Sequence, residues 1–137
     1  MNIFKFLTPK NQTQYLLYNC TIRQALEKFD YYKFTTVPLI DEEGKFVTTL
    51  SEGDILRYIK NDSDFNILEA ESQTIDKIEK YRSYQALKVD TPISVIIKLS
   101  LQQNFIPIVD DRGIFIGIIK RKAIIDYLFE NTKLGDE

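Results

Sequence analysis

The sequence predicts an α/β fold in which two βαββα units pack sheet to sheet about a pseudo-twofold axis. Three observations predict it. The stretch from Phe34 to Leu56 reads as a strand, a tight turn at Asp41-Glu42-Glu43-Gly44, a second strand and a helix that starts at a polar cap. The stretch from Phe105 to Ile119 has the same order of parts. The spacing between the two is constant. Pro38 and Pro107, Asp41 and Asp110, Gly44 and Gly113, Phe46 and Phe115, and Tyr58 and Tyr127 are each 69 residues apart, while Gln14 with Gln85 and Leu16 with Leu87 are 71 apart. A period held across strand, helix, strand, strand and helix means two copies of one supersecondary unit. The two-residue difference fits a shorter helix-to-strand connection in the second copy. One copy has three short strands and two amphipathic helices, too little to bury both faces alone, and packing two copies together solves that problem. Their Ile- and Val-rich strands suit such a buried seam.

In chain order, Ile3 to Leu7 is a short apolar lead-in stopped by Thr8-Pro9. Gln14-Tyr15-Leu16-Leu17 reads as a short strand. Asn19 to Thr21 offers helix caps, after which Ile22, Ala25, Leu26 and Phe29 fall at helical spacing. Beyond the first hairpin, Ser51 is placed to cap a helix and Asp54 falls at the third helical position, as in a capping box with Asp for Glu. That helix carries Ile55, Leu56 and Ile59 on one face. The polar Asn61-Asp62-Ser63-Asp64 marks the end of the first copy. Phe65 to Lys80, with Ile67, Leu68, Ile75 and Ile78 among charges, reads as a short helical connector. Ala86-Leu87-Lys88-Val89 is the next strand, and Thr91 caps a helix with Pro92 at its first position. The second hairpin and a helix from Arg121 to Glu130 follow, and Lys133 to Glu137 forms a frayed tail. The organisation is thus 1–64 first copy, 65–80 connector and 81–137 second copy.

Bulk properties narrow the function classes. The formal charge of −2 gives no general attraction to nucleic acid or membrane. A single cysteine, Cys20, excludes an intrachain disulfide and a thiolate metal cage. The chain has no histidine, which removes histidine-dependent nucleophilic catalysis and the commonest zinc sites. No apolar run reaches membrane-spanning or signal length, so the expectation is a cytoplasmic protein. Glu42-Glu43 and Asp110-Asp111 sit at hairpin turns, where acidic residues serve the turn rather than acid–base chemistry.

Thr21-Ile22-Arg23-Gln24-Ala25-Leu26, Thr36-Val37-Pro38-Leu39-Ile40-Asp41 with Gly44, and Ser51-Glu52-Gly53-Asp54 carry a resemblance in the first copy; Phe105-Ile106-Pro107-Ile108-Val109-Asp110, Gly113 and Gly117-Ile118-Ile119 carry it in the second. Over essentially its whole length the chain resembles a tandem pair of cystathionine-β-synthase (CBS) domains, a Bateman module, in particular the small stand-alone bacterial CBS-pair proteins. The resemblance implies a regulatory module without catalytic or metal residues. It implies an adenine nucleotide (AMP, ADP, ATP, cyclic di-AMP or S-adenosylmethionine) as regulatory ligand in clefts between the copies. It also implies a homodimer and a regulated protein partner.

The resemblance assigns site residues. Asp54 matches the Asp that binds the ribose hydroxyls, a role suited to a carboxylate that accepts two hydrogen bonds. Ser51 sits at a helix N-terminus, where free N–H groups favour a phosphate. Both residues also make sense purely as caps. Thr35, Thr36, Val37 and Pro38 match the segment lining the adenine, and Tyr15 and Leu16 could complete that pocket or simply pack. In the second copy the positions of Ser51 and Asp54 hold Lys120 and Ala123, so the ribose carboxylate is missing. Lys120-Arg121-Lys122 there is either a solvated charged end or a phosphate grip, with Arg121 the best placed for the latter. A ligand-free dimerisation or docking scaffold is the alternative function.

Overall fold

The computed structural model describes residues 3–62 and 65–132; Ser63, Asp64 and the 133–137 tail lie outside the described residues. The elements are β1 (Leu7–Pro9), β2 (Leu16–Leu17), α1 (Ile22–Tyr32), β3 (Thr36–Ile40), β4 (Phe46–Ser51), α2 (Glu52–Asn61), α3 (Ile67–Ser72), β5 (Leu87–Lys88), α4 (Ile93–Ser100), β6 (Phe105–Val109), β7 (Phe115–Lys120) and α5 (Arg121–Thr132). They form a mixed α/β chain with two sheets and five helices. None of the helices is long and apolar enough to cross a membrane among the described residues. The chain divides into two compact units. One is Gln14–Ser83, and the other joins residues up to Thr13 with Tyr84 onward.

In the Gln14–Ser83 unit the sheet order is β2-β3-β4. β2 runs parallel to β3 with Leu16 opposite Leu39, and β3 runs antiparallel to β4 with Val37 opposite Leu50. The hairpin closes through Asp41, whose carboxylate accepts the backbone N–H groups of Glu43 and Lys45 at 2.9 Å each. Gly44 takes φ 86°, a left-handed conformation that a side chain would resist. Thr21 and Gln24 form a capping box at the start of α1. Ile22, Ala25 and Phe29 are buried from that helix and pack with Val37, Leu39, Leu50 and Ile55.

The connector belongs to this unit's core. Ala70, Ile75 and Ile78 are buried in the same cluster. Ile22 N–H donates to Gln73 O and Ile75 N–H to Cys20 O, both at 2.9 Å. Ile67 and Leu68, which the sequence reading counted among the connector's apolar positions, are exposed.

The second unit repeats the pairing with the offsets read from sequence. Leu87 lies parallel opposite Ile108 and Ile106 antiparallel opposite Ile119, and an irregularity at Ile108/Val109 matches the one at Leu39/Ile40. Its core gathers Ile96, Ile106, Ile108, Ile119 and Ile124 with Ile3 and Phe6. It differs by one strand: β1 pairs antiparallel with β7, Leu7 opposite Ile119 and Pro9 opposite Gly117, giving the order β1-β7-β6-β5. The apolar lead-in therefore pairs with the second copy rather than opening the first, and proline fits a short edge strand. Gly117 permits this approach, because a Cβ there would lie 2.3 Å from the Thr8 carbonyl oxygen. One cap differs from expectation. Pro92, not Thr91, occupies the N-cap of α4, with no side-chain cap bond. Thr91 is spent in the preceding turn, its N–H donating to Lys88 O.

Candidate functional site

Strand β4 runs directly into α2, so the last strand residue, Ser51, becomes the helix N-cap. Ser51 Oγ accepts the Asp54 N–H at 3.1 Å, and Asp54 Oδ2 accepts the Ser51 N–H at 3.0 Å. Those two bonds are the capping box read from sequence. They do not exhaust Asp54. Its Oδ1 also accepts from Arg57 Nη2 at 2.8 Å and from the Tyr81 N–H at 3.1 Å. The carboxylate is 3% exposed. A buried carboxylate needs such donors to stay charged.

Arg57 is held on a second side. Its guanidinium lies 4.3 Å from the centre of the Tyr81 ring, and the Tyr81 hydroxyl donates to Glu79. That bond to Glu79 raises the Tyr81 pKa above the ordinary phenol value. Lys80 donates to Ile75 O at 2.7 Å, and burial lowers its pKa while Asp76 and Asp54 act in the opposite sense. Arg57 was not singled out from sequence, and nothing there joined Tyr81 to Asp54. The three-residue step from Asp54 to Arg57 on one helix was the available signal for the ion pair. The Tyr81 contact spans 27 residues and had none.

Asp54 and Arg57 border an open recess of about 390 Å³ with Tyr58, Asn61, Lys77, Glu79 and Tyr81 among its walls. That volume is within the range of small-molecule sites. The remaining expected residues of this unit are distributed around it. Thr36 pairs with Ser51 across the β3–β4 ladder, and Val37 and Pro38 follow it as buried strand residues. Thr35 is exposed, and its carbonyl accepts the Glu52 N–H at 3.0 Å. One N–H of the α2 terminus is thereby used within the chain. Leu16 is buried in the core and Tyr15 half-buried. Both border a different hollow with Cys20, Lys28, Tyr31 and Tyr32, where Lys28 Nζ donates to Tyr15 O at 2.9 Å. The structure thus gathers Ser51, Asp54, Thr35 and Thr36 at the β4–α2 junction and leaves Tyr15 and Leu16 lining another recess.

A family model described as CBS domain matches residues 13–61 and 81–130. The chain belongs to the CBS-domain family. Its two matches make it a CBS pair. An uncharacterized protein of Methanocaldococcus jannaschii, MJ1426, is 28% identical over 76% of this chain and 79% of its own length. CbpB in complex with c-di-AMP superposes with a TM-score of 0.85 at 22% identity, covering 99% of this chain and 88% of that one. CBSX2 of Arabidopsis thaliana, in a complex with AMP, gives a TM-score of 0.74 at 22% identity, covering 96% of this chain and 98% of the other. At these identities the likeness to the solved structures establishes the fold.

The second CBS copy has a differently built helix start. Lys120, at the end of β7, is exposed. Arg121 opens α5, its N–H bonded to Asn104 O at 2.9 Å and its Nε donating to Ser100 O at 2.7 Å. The guanidinium is thus tied to the last turn of α4, where a cation is favoured by the exposed carbonyls. Arg121 also lines a hollow of about 280 Å³ between α4 and α5. Among the described residues no group of three or more acidic or cysteine side chains is arranged to hold a metal.

Proposed function

We propose that this CBS pair is a non-enzymatic regulatory module that binds an adenine nucleotide at the β4–α2 junction of its first copy. The observation that carries the reading is Asp54, a buried carboxylate bordering an open recess, at the matching position of the Ser-x-x-Asp turn. The solved relatives that hold c-di-AMP and AMP support the ligand class. In this reading Asp54 accepts a ribose hydroxyl and Ser51 faces a phosphate. Thr35, Thr36, Val37 and Pro38 form the wall for the base.

A carboxylate has about four acceptor positions. Three are filled here by Ser51, Arg57 and Tyr81. One hydroxyl fits without change, and a full diol must displace Arg57 or the Tyr81 amide. Ligand entry is therefore coupled to the Arg57–Tyr81 contact, and through it to the segment that follows α3. Coupling of that kind is what a regulatory module needs in order to alter its affinity for a protein partner. The module acts as a homodimer on a partner protein, and AMP, ADP, ATP, cyclic di-AMP and S-adenosylmethionine are the ligands to test.

The same saturation of Asp54 favours a second reading, a ligand-free docking scaffold in which Ser51 and Asp54 serve only as a cap. Differential scanning fluorimetry and isothermal titration calorimetry with each of the five ligands separate the two. A binder present at about a hundred times its Kd stabilises the fold by about 2.7 kcal/mol. The nucleotide reading expects such a shift for at least one ligand, and its loss in Asp54→Asn. No shift with any of the five overturns it and leaves the scaffold.

A further inference from the structure

We propose that the hollow between β2 and α1 is a second ligand site, built to hold a small aromatic carboxylate. The inference goes beyond the nucleotide reading and does not depend on it.

The hollow measures about 660 Å³, against about 390 Å³ for the recess beside Asp54, and lies within the range of small-molecule clefts. Tyr15 and Leu17 border it from the strand, and Gln24, Lys28, Tyr31 and Tyr32 from the helix. Gln24, Lys28 and Tyr31 follow one another at four and three residues, so they form one stripe along α1. Ile22, Ala25 and Phe29 take the core side of the same helix. Aromatic surface is presented here rather than buried. Tyr31 is 77% and Tyr32 45% exposed, and their rings meet edge to face with centroids 4.7 Å apart. Tyr32 also lies nearly parallel to Phe34 at 6.2 Å, and Phe34 packs on the core, which anchors this wall. A flat ligand gains by packing against such rings.

Lys28 supplies the charge. It is half-buried, its ammonium donates to Tyr15 O at 2.9 Å, and it lies 5.6 Å from the centre of the Tyr15 ring. These contacts hold the cation in place without neutralising it. Among the described residues no ion pair engages Lys28. The neighbouring acid, Glu27, is taken by Arg23 at 3.1 Å. The Cys20 thiol, pushed up by burial, stays protonated and does not compete. An ammonium has three donors, so two remain for a carboxylate. Gln24 adds another: its Oε1 accepts the Thr21 N–H at 2.9 Å, which leaves its NH2 group to donate. Drawing a cation out of water without a counter-ion is costly, and a bound anion offsets that cost. One lysine balances one negative charge, as a carboxylate carries.

The repeat shows that the fold does not ask for this set. At the 71-residue offset that relates α4 to α1, Tyr15, Gln24, Lys28 and Tyr31 become Ala86, Val95, Leu99 and Gln102. The same strand and helix stand there without a cation or a ring at these positions. The tyrosines and the lysine of the first copy are therefore free to serve a ligand.

Heteronuclear NMR titration of the isotope-labelled full chain tests this, with indoleacetate and phenylacetate as probes and the amide of each as its uncharged match. The expected result is saturable shifts at the Leu17, Cys20, Gln24, Lys28 and Tyr31 amides with at least one acid, and about tenfold weaker binding of its amide. Lys28→Leu, which installs the residue found in the second copy, should abolish the preference for acid over amide. Tyr31→Ala should weaken acid and amide alike. No saturation by either acid at millimolar concentration overturns the proposal, as does equal affinity for acid and amide, or an acid affinity that Lys28→Leu leaves unchanged. AMP that shifts this same set of amides also overturns it, because the hollow would then be the base pocket of the nucleotide. A protein that binds the acids but none of the five nucleotide-class ligands sinks the nucleotide reading and leaves this site standing. Circular dichroism controls for folding, and Lys28→Gln, if Leu is not tolerated, must remove the same preference.

Discussion

The outer strand of each hairpin differs at one equivalent position, Thr48 in β4 and Gly117 in β7. Thr48 lies opposite Leu39, on a strand that ends its sheet. Gly117 lies opposite Ile108 and is flanked on its other side by β1. The same backbone slot thus carries a β-branched residue where only one neighbour exists and no side chain where a second strand presses in. The helix starts diverge in the same manner. Ser51 and Asp54 cap α2 and hold Arg57, whereas Lys120 and Ala123 do neither, and Arg121 instead ties α5 to α4 through Ser100. The repeat fixes the trace of the chain, and the local neighbours choose the residue.

The sharpest test of this contrast is alanine at the two strand positions. In Gly117→Ala the new Cβ meets backbone, which cannot rotate away, and the urea midpoint is expected to fall by the equivalent of about 3 kcal/mol. Thr48→Ala should cost under about 1 kcal/mol. An equal loss at both positions would break the argument.

The next effect is at the helix starts. Asp54→Ala removes an ion pair and the acceptor of the Ser51 and Tyr81 N–H groups, with an expected loss of about 2 to 3 kcal/mol. Ala123→Gly, at the counterpart, should cost only the helix propensity difference, about 1 kcal/mol. Denaturant titration of both variants reads the difference.

Caps give a smaller effect. Thr21→Ala breaks a capping box and is expected to cost about 1 kcal/mol. Thr91→Ala, before a helix that has no side-chain cap, should stay within about 0.5 kcal/mol. A matching loss at Thr91 in thermal unfolding would mean that its hydroxyl caps α4 after all.

The last difference lies one residue before Thr21, at Cys20, whose counterpart in the repeat is Thr91. Burial pushes the Cys20 thiol from 9.0 to about 11, with Lys28 acting in the opposite sense. The folded state therefore keeps a proton that the unfolded chain has lost. This contribution is fully present below pH 9 and disappears as the pH climbs to about 11. Melting temperatures between pH 8 and 11 should fall less steeply in Cys20→Thr than in wild type.

The sequence carried the hairpins, the repeat offsets and the capping boxes because each is written in neighbouring residues. Asp41 and Gly44, or Asp110 and Gly113, specify a turn within five positions. Ser51 and Asp54 specify a cap within four. The Arg57–Tyr81 arrangement around Asp54 was not legible, since its last member comes from beyond α3 and no periodicity links it to the helix. β1 was not legible as a strand because Leu7-Thr8-Pro9 is too short to show alternation and ends in a residue that lacks an N–H. The connector's apolar residues were seen, but which of them face inward depends on Gln73 and Cys20 bonding to the start of α1. Arg121 reads from sequence as either a solvated charge or a phosphate grip, and its bond to Ser100, 21 residues away, was not legible.

The pairing of Leu7 with Ile119 has a consequence for how the chain assembles. These residues are separated by almost the whole sequence, so a ribosome releases one long before the other exists. Gln14–Ser83 holds the three strands of its own sheet and can condense while synthesis continues. The leading segment, by contrast, must remain unpaired until β7 emerges, and its docking closes the longest loop in the molecule. Trimming the first dozen residues would therefore damage the half of the protein made last and spare the half that follows the cut.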